Sequence, residues 1–130
     1  MAMETIEQFQ ERRKHGHDRV LASDNLQIKR FMALDTACYR DGALTGKTKE
    51  LLGLTASMVL RCNDCIDYHL VQCVQSGFTQ EELEEAMNVA LIVGGSIVIP
   101  HLRHALLHLD QLKSAQDGQT NISGSSRPQE

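Results

Sequence analysis

Two cysteines, a histidine and a glutamate in the middle of the chain have the types and spacing needed for two-electron thiol chemistry. Cys62 and Cys65 form a Cys-x-x-Cys pair, His69 lies four residues after the second thiol, and Glu50 lies twelve before the first. Two thiols at this spacing can close a disulfide after one has attacked an oxidant. An imidazole can exchange a proton near neutral pH, and a carboxylate can fix its tautomer or pass the proton on.

These groups require a helix that begins at the cysteines. Asn63 and Asp64 can begin one, which places Cys65 and His69 four residues apart on the same face. Cys62 then lies at or just before the first turn, where free N–H groups and the helix dipole favour a thiolate. Further apolar positions predict that this helix is buried, namely Ile66, Leu70, Val71 and Val74.

A zinc site is the main competing interpretation, because Cys73 continues the series of possible ligands. On a helix, Cys65 and Cys73 lie about 12 Å apart along the axis, at roughly 1.5 Å per residue. One tetrahedral ion with ligands at about 2.0–2.3 Å cannot bridge that distance. We therefore favour redox chemistry with no metal and no other cofactor. A third interpretation, cysteines that merely pack in the core, stays open.

Two helices are predicted upstream of this segment. A surface helix of modest burial covers Met3 to Lys14, and His15-Gly16-His17 is interpreted as a solvated break. The second helix follows the capping residues 23–25 and ends at Asp41-Gly42. Cys38 is predicted to be a small buried residue on its apolar side.

The helix that carries Glu50 is predicted to be central to the core. Thr45 can cap it, and its second half is apolar almost all round, as in buried helices. Glu50, near its start, is expected either at the surface or carried inward by the apolar residues that follow.

Glycines and a capping box mark the remaining helices. Gly77 is a natural helix stop, and Thr79 followed by Glu82 predicts the next helix start. Gly94-Gly95 interrupts that helix, and a last helix is predicted over Ile97 to Leu112.

The end of the chain is almost without apolar residues. Residues 114–130 are therefore predicted to be a disordered C-terminal tail. Residues 1–113 are predicted to form a single helical domain with a small core.

Composition excludes several classes of function. The chain has 130 residues, 42% hydrophobic and 4% aromatic, with a net charge of −4. A nucleic-acid surface needs clustered Lys and Arg, which this balance does not favour. Neither a secretory signal pattern nor an apolar run long enough to span a membrane is present. We expect a cytoplasmic protein, where a close cysteine pair usually means redox or metal chemistry.

The motif resembles that of a known family. Glu50, eleven residues, Cys62-x-x-Cys65, three residues and His69 are similar to the motif of the alkylhydroperoxidase D-like branch of the carboxymuconolactone decarboxylase family. The resemblance covers about residues 44–112. It includes Lys-Glu-Leu-Leu from Lys49, Cys-Ile-Asp-Tyr-His from Cys65, Gly-Phe-Thr-Gln-Glu-Glu-Leu from Gly77, and Gly94-Gly95.

The resemblance implies an all-α, alkylhydroperoxidase D-like helical bundle that assembles as a homo-trimer or homo-hexamer. It also implies that the cysteine pair reduces hydroperoxides. Cys65 would be the attacking thiol, Cys62 the resolving partner, and His69 and Glu50 the proton relay. The partners would be a hydroperoxide substrate and a dithiol or thioredoxin-like reductant.

One residue departs from the family pattern. Peroxidase members place a histidine just before the second cysteine, whereas this chain has Asp64. A carboxylate there would oppose thiolate formation at Cys65 unless it is protonated or points to solvent. Asp64 is therefore the residue expected to lower peroxidase efficiency.

Three histidines near the end of the domain remain. His104 and His108 are an i, i+4 pair that can chelate metal, but without a carboxylate we interpret them as a polar helix face. His101, close to Gly94-Gly95, could approach the thiols from the same or a neighbouring subunit.

The sequence thus predicts a thiol-dependent peroxidase or disulfide oxidoreductase. One alternative is a non-catalytic, redox-sensing helical oligomer. Another is a decarboxylase-like lyase that uses Glu50 and His69 as acid and base, with the thiols incidental.

Overall fold

The computed structural model describes residues 2–123, with side chains up to residue 118. Within that part of the chain there are helices and no strands, which confirms the predicted all-α class. The elements are α1 (Ile6–Leu21), α2 (Leu26–Cys38), α3 (Gly46–Val59), α4 (Asn63–Gln75), α5 (Gln80–Gly94), a 3-10 turn (Ser96–Val98) and α6 (Ile99–Ser123).

Helix α4 lies at the centre of the bundle. It packs against α3 on one side and α6 on another, while α3 also packs against α5. Ile66 and Leu70 on α4 are fully buried, as are Leu54 and Met58 on α3. Each such side chain contributes roughly 1.5–3 kcal/mol on burial, so the α3–α4 pair holds the cysteine segment on a rigid support.

The predicted caps of α3 and α5 are confirmed. The Thr45 hydroxyl accepts from the Thr48 N–H at 3.1 Å. At α5, Thr79 and Glu82 form both hydrogen bonds of the capping box. Gly77, with φ of 94°, ends α4 as predicted.

The predicted break at His15-Gly16-His17 is wrong. Helix α1 continues through Gly16 to Leu21, held by a capping box at Thr5 and by Ile6 and Phe9 in the core. A glycine inside a helix costs only about 1 kcal/mol relative to alanine. That cost is too small to end a helix anchored in this way.

The predicted tail is partly helical. Helix α6 continues through residues 114–123, where we predicted disorder, and residues 124–130 lie outside the described part of the chain. The start of this extension lies beside α1. The Gln111 side chain accepts from the Ile6 N–H at 2.8 Å, and Ser114 and Ala115 face α1 across a groove.

Helix α2 departs from the predicted burial. None of its residues is buried, and Cys38 is exposed. Phe31 and Leu34 are 65% and 69% exposed, because α2 packs chiefly on α1 and leaves its apolar side uncovered.

Among the residues described, no helix is both long and apolar enough to cross a membrane.

Candidate redox-active site

Three residues, Leu60 to Cys62, join the end of α3 to the start of α4. The Cys62 N–H donates to the Ser57 carbonyl and the Arg61 N–H to the Met58 carbonyl, which is a Schellman ending of α3. Arg61 has φ of 61°, in the left-handed region. Cys62 is also the N-cap of α4, where its sulfur accepts from the Cys65 N–H at 3.3 Å. The sulfur therefore lies at the helix N-terminus, as predicted.

Cys62 and Cys65 are joined in a disulfide. Cys65 is exposed and Cys62 is partly buried. Cys65 lines a cavity of about 310 Å³. The other lining residues come from α1, the α2 segment and α4: Phe9, Arg13, Asp35, Tyr39, Asp64, Tyr68 and His69.

The Glu50 carboxylate and the His69 ring form a buried pair. His69 Nδ1 lies 2.8 Å from Glu50 Oε2, and both residues are buried. Since a carboxylate accepts hydrogen bonds, Nδ1–H donates to it and this fixes the ring orientation. Helix α3 thus places Glu50 inside the bundle. The Nε2 atom of His69 does not contact Glu50 and is available to groups in the cavity.

Tyr39 contacts the other ring nitrogen and was missed from the sequence. Its hydroxyl lies 3.5 Å from His69 Nε2. Burial, together with the charge of Glu50, raises the pKa of Tyr39, so the phenol keeps its proton and can donate it. Tyr39 follows α2 as its C-cap, and no local sequence pattern connects it with His69 thirty residues away.

Gly53 provides the space for the His69 ring. A Cβ atom at position 53 would lie 2.6–2.8 Å from three ring atoms of His69, closer than real carbon contacts allow. Gly53 on α3 is therefore part of the site, although its sequence signal is only a glycine inside a helix.

Tyr68 and Arg13 also line the cavity. The Tyr68 ring meets the His69 ring edge-on at 5.1 Å. The Arg13 guanidinium lies 4.2 Å from the Tyr68 ring centroid, a distance typical of a cation–π contact. Neither residue was singled out from the sequence.

Asp64 is paired with a guanidinium. Arg12 bonds both carboxylate oxygens, at 2.9 and 3.2 Å, and also binds Glu4. The side chains are well exposed, so the charge of Asp64 is partly neutralised by Arg12 and partly screened by solvent. This arrangement weakens the electrostatic effect that we predicted Asp64 to have on Cys65.

The remaining cysteines lie away from the cavity. Cys73 is fully buried in the core. This position agrees with the prediction that it is not part of the site. Burial raises the pKa of the Cys73 thiol to about 12, which leaves it an unreactive thiol. Cys38, predicted to be buried, is exposed and does not line the cavity.

The three histidines of α6 have other partners. His101 Nδ1 lies 2.7 Å from Asn63 Oδ1, and His101 is absent from the cavity wall. The interpretation of His104 and His108 as a polar helix face is wrong, because both rings turn inward and bond the buried Asp67. Although burial opposes it, these hydrogen bonds hold the pKa of Asp67 below its usual value.

One family model and two uncharacterised bacterial proteins are similar to this chain. The model of the carboxymuconolactone decarboxylase family matches residues 28–108. An uncharacterised Paracoccus denitrificans protein of the cox locus is 33% identical over 85 residues, 65% of this chain and 77% of that protein. An uncharacterised Cupriavidus necator protein is 27% identical over 84 residues, 65% of this chain and 74% of its own.

Solved structures of similar proteins share the fold. A Thermotoga maritima protein is 54% identical and superposes with a TM-score of 0.83, covering 86% of this chain and 98% of its own. A second crystal structure from that organism, with a TM-score of 0.80, covers 86% and 96% and is described as a carboxymuconolactone decarboxylase family protein with a suggested role in the antioxidative response. A Legionella pneumophila protein of the family is 25% identical, with a TM-score of 0.75, covering 82% and 96%.

Proposed function

The chain belongs to the carboxymuconolactone decarboxylase family, and from this membership and the geometry of its cysteine site we propose that it is a thiol-dependent peroxidase. It reduces hydroperoxides through Cys65 and Cys62, with His69 and Glu50 as the proton relay. The suggested antioxidative role of the Thermotoga maritima relative supports the same class of activity.

One observation carries this proposal. An exposed, disulfide-bonded cysteine, Cys65, and a buried imidazole, His69, line the same cavity. The imidazole is held by Glu50 at 2.8 Å on the nitrogen that faces away from Tyr39. A lyase would need the acid and base but no disulfide, whereas this cavity is lined by a cysteine of a closed disulfide.

The first half-reaction begins from the reduced pair. The Cys65 thiolate attacks the terminal oxygen of ROOH, so that an S–O bond forms and the O–O bond breaks. The leaving alkoxide takes a proton from the imidazolium of His69, which gives ROH and a sulfenic acid on Cys65. Glu50 stabilises the imidazolium before the transfer.

The second half-reaction restores the disulfide seen in the structure. The Cys62 thiolate attacks the sulfenic sulfur, an S–S bond forms, and hydroxide leaves with a proton as water. A dithiol donor then reduces the disulfide by two electrons and is itself oxidised. Because Cys65 is exposed, a dithiol or thioredoxin-like reductant can approach this residue. We place this cycle in the cytoplasm, where such reductants are kept reduced.

A peroxide-consumption assay with several dithiol donors tests the proposal. The wild-type protein is expected to consume hydroperoxide only when a dithiol is present. Cys65→Ser is expected to abolish turnover, and Cys62→Ser to allow one turnover that stops at the sulfenic acid. Cys38→Ser is the matched control, because Cys38 is also an exposed cysteine, and its activity is expected to stay at the wild-type level.

Two outcomes would reject the peroxidase. Peroxide consumption that survives Cys65→Ser would exclude thiol chemistry at this site. A pair that reduces and reoxidises without catalytic turnover would support the redox-sensing alternative.

The exposed face of α2 supports assembly as a homo-oligomer. Phe31 and Leu34 lie on this face, and neither α1 nor the rest of the described chain covers them. A contiguous exposed apolar patch is typical of an interface. We propose that a second copy covers α2, in a homo-trimer or homo-hexamer.

A further inference from the structure

A second cluster of polar side chains lies on the other side of α4 from the thiols. Asp67 precedes His69 by two residues, about 200° around the helix, so it faces α6 while His69 faces α3. Asp67 Oδ1 lies 2.9 Å from His104 Nε2 and 2.7 Å from His108 Nδ1. The side chains of Asp67 and His108 are 2% and 0% exposed, and that of His104 is 19% exposed.

The hydrogen bonds of His108 require a second proton or a metal ion in this cluster. His108 Nε2 lies 2.8 Å from the Glu4 carbonyl oxygen, which only accepts, so Nε2 carries a hydrogen. In neutral His108 the other nitrogen, Nδ1, then presents a lone pair to the Asp67 carboxylate. Two lone pairs at 2.7 Å repel each other, so either a second proton or a metal ion must lie between them.

We propose that Asp67, His104 and His108 bind a divalent metal ion of the zinc class. Two imidazoles and one carboxylate are a recurrent ligand set for such ions. The three donor atoms all lie within 4.8 Å of one another, so small side-chain rotations bring them to metal–ligand distances of about 2.0–2.2 Å. His104 and His108 supply the i, i+4 pair. Asp67, which is distant from this pair in the sequence, supplies the carboxylate.

The surroundings of His108 are those of a metal ligand. Metal-bound histidines almost always donate their second N–H to a carbonyl or carboxylate, which fixes the tautomer. The Glu4 carbonyl makes this contact here. The partial exposure of His104 leaves a side from which the ion can enter and from which a water molecule can complete a tetrahedral set.

The site would link three parts of the chain. Asp67 is on α4, the two histidines are on α6, and Glu4 belongs to the segment before α1. The ion would therefore fasten α6 and the N-terminal segment to the helix that carries the thiols. It faces away from the cavity lined by Cys65 and His69, so this inference does not depend on the peroxidase proposal.

Isothermal titration calorimetry with ZnCl₂ tests the site in the full chain. The Cys38→Ser protein is used with the Cys62–Cys65 disulfide closed, so that neither the exposed thiol nor the redox pair can take the metal. One zinc ion per chain is expected to bind. Asp67→Asn and His104→Gln are each expected to weaken binding at least tenfold, since losing even an outer-shell partner costs roughly 10–100-fold in affinity.

A matched control uses the other histidine pair. His15 and His17 lie two residues apart on α1, and therefore on opposite sides of the helix, where they cannot chelate one ion. The double variant His15→Gln/His17→Gln, made in the Cys38→Ser protein, is expected to bind zinc as the Cys38→Ser protein does. Binding that disappears in this variant but survives Asp67→Asn would overturn the proposal, and so would a parent chain that binds no zinc.

A measurement on the parent chain covers the case in which a variant does not fold. Imidazole ¹⁵N NMR spectra are recorded with and without one equivalent of ZnCl₂. His108 Nδ1 and His104 Nε2 are expected to move to the range of metal-bound nitrogens. If both signals stay in place while zinc binds, the proposed ligand set is wrong.

Discussion

His69 is the residue on which the redox site depends most. Glu50 holds its Nδ1, the Tyr39 hydroxyl lies near its Nε2, and Tyr68 packs against its ring edge. Gly53 provides the space beneath it. A ring held on every side is pre-organised to exchange a proton with a group in the cavity, because it does not have to be oriented during the reaction.

Replacing Gly53 with alanine is expected to lower peroxide turnover while the chain stays folded. The new Cβ would lie within 2.8 Å of the His69 ring, so the ring must move away from Glu50. A displacement of about 1 Å can cost on the order of a hundredfold in rate, and we expect a loss of about tenfold to a hundredfold in kcat/KM, measured by peroxide consumption.

Gly16→Ala is the matched control for this substitution. Position 16 is also inside a helix, but nothing lies within 4 Å of an added Cβ. Stability is expected to rise by about 0.5–1 kcal/mol from helix propensity, with unchanged turnover. Equal activity of Gly53→Ala and wild type would show that the position of the His69 ring is not critical.

Cys38 and Cys73, the two cysteines outside the disulfide, are expected to differ sharply in reactivity. Burial raises the pKa of Cys73 to about 12, so below that pH it remains a thiol and does not react. Cys38 is exposed. In the oxidised native protein at pH 8, a thiol-counting reagent should therefore label one cysteine per chain, and two once the chain is unfolded. Mass spectrometry that finds the native label on Cys73 would contradict the buried placement.

At the scale of elements, the α3–α4 junction positions the cysteines. Cys62 completes the ending of α3 and caps α4, so the disulfide lies at a short junction that two packed helices hold in place. Helix α4 itself presents the redox site to α3 and the Asp67 cluster to α6. One buried helix thus supports two separate polar sites on opposite faces.

The junction contains one strained residue. Helices α3 and α4 both end in a Schellman motif, with Gly77 in the left-handed position at α4 and Arg61 in that position at α3. A residue with a side chain costs roughly 1–2 kcal/mol there, while glycine costs about 0.5–1 kcal/mol in chain entropy. Arg61→Gly is therefore expected to raise the free energy of unfolding by about 0.5–1 kcal/mol, as measured by urea denaturation.

Arg61→Ala separates strain from side-chain effects. Alanine keeps a Cβ in the left-handed conformation, so we expect no gain in stability. If Arg61→Gly and Arg61→Ala lower the free energy of unfolding by the same amount, the Arg61 side chain stabilises the fold by more than its backbone strain costs.

At the scale of the whole molecule, α2 is an element whose apolar side a single copy leaves uncovered. Its apolar side is exposed, although Tyr39 at its end reaches the redox site. An assembly that covers α2 would therefore also fix the wall of the cavity. Oligomerisation and activity are expected to be lost together.

The double variant Phe31→Ser/Leu34→Ser tests this link. Light scattering is expected to show a lower particle mass than for wild type, with helical content preserved and peroxide turnover reduced. Leu44→Ser, an exposed leucine outside α2, serves as the control and should keep the wild-type mass. An unchanged mass in the double variant would place the interface elsewhere.

Local signals in the sequence determined much of the fold and the centre of the redox site. The caps at Thr45 and Thr79, the stop at Gly77 and the cysteine pair act through residues three or four positions apart, and their physics can be read directly from the chain. The motif likewise led to Glu50 and His69, which the structure brings within 2.8 Å.

Tertiary structure decided the rest, because those contacts join residues that no local pattern connects. Tyr39 reaches His69 over 30 positions, and His108 reaches Asp67 over 41 and Glu4 over 104. The uncovered side of α2 and the continuation of α1 through Gly16 also depend on what packs against each helix. Periodicity predicts which face of a helix is apolar, but only packing determines whether that face is covered, and by which side chains.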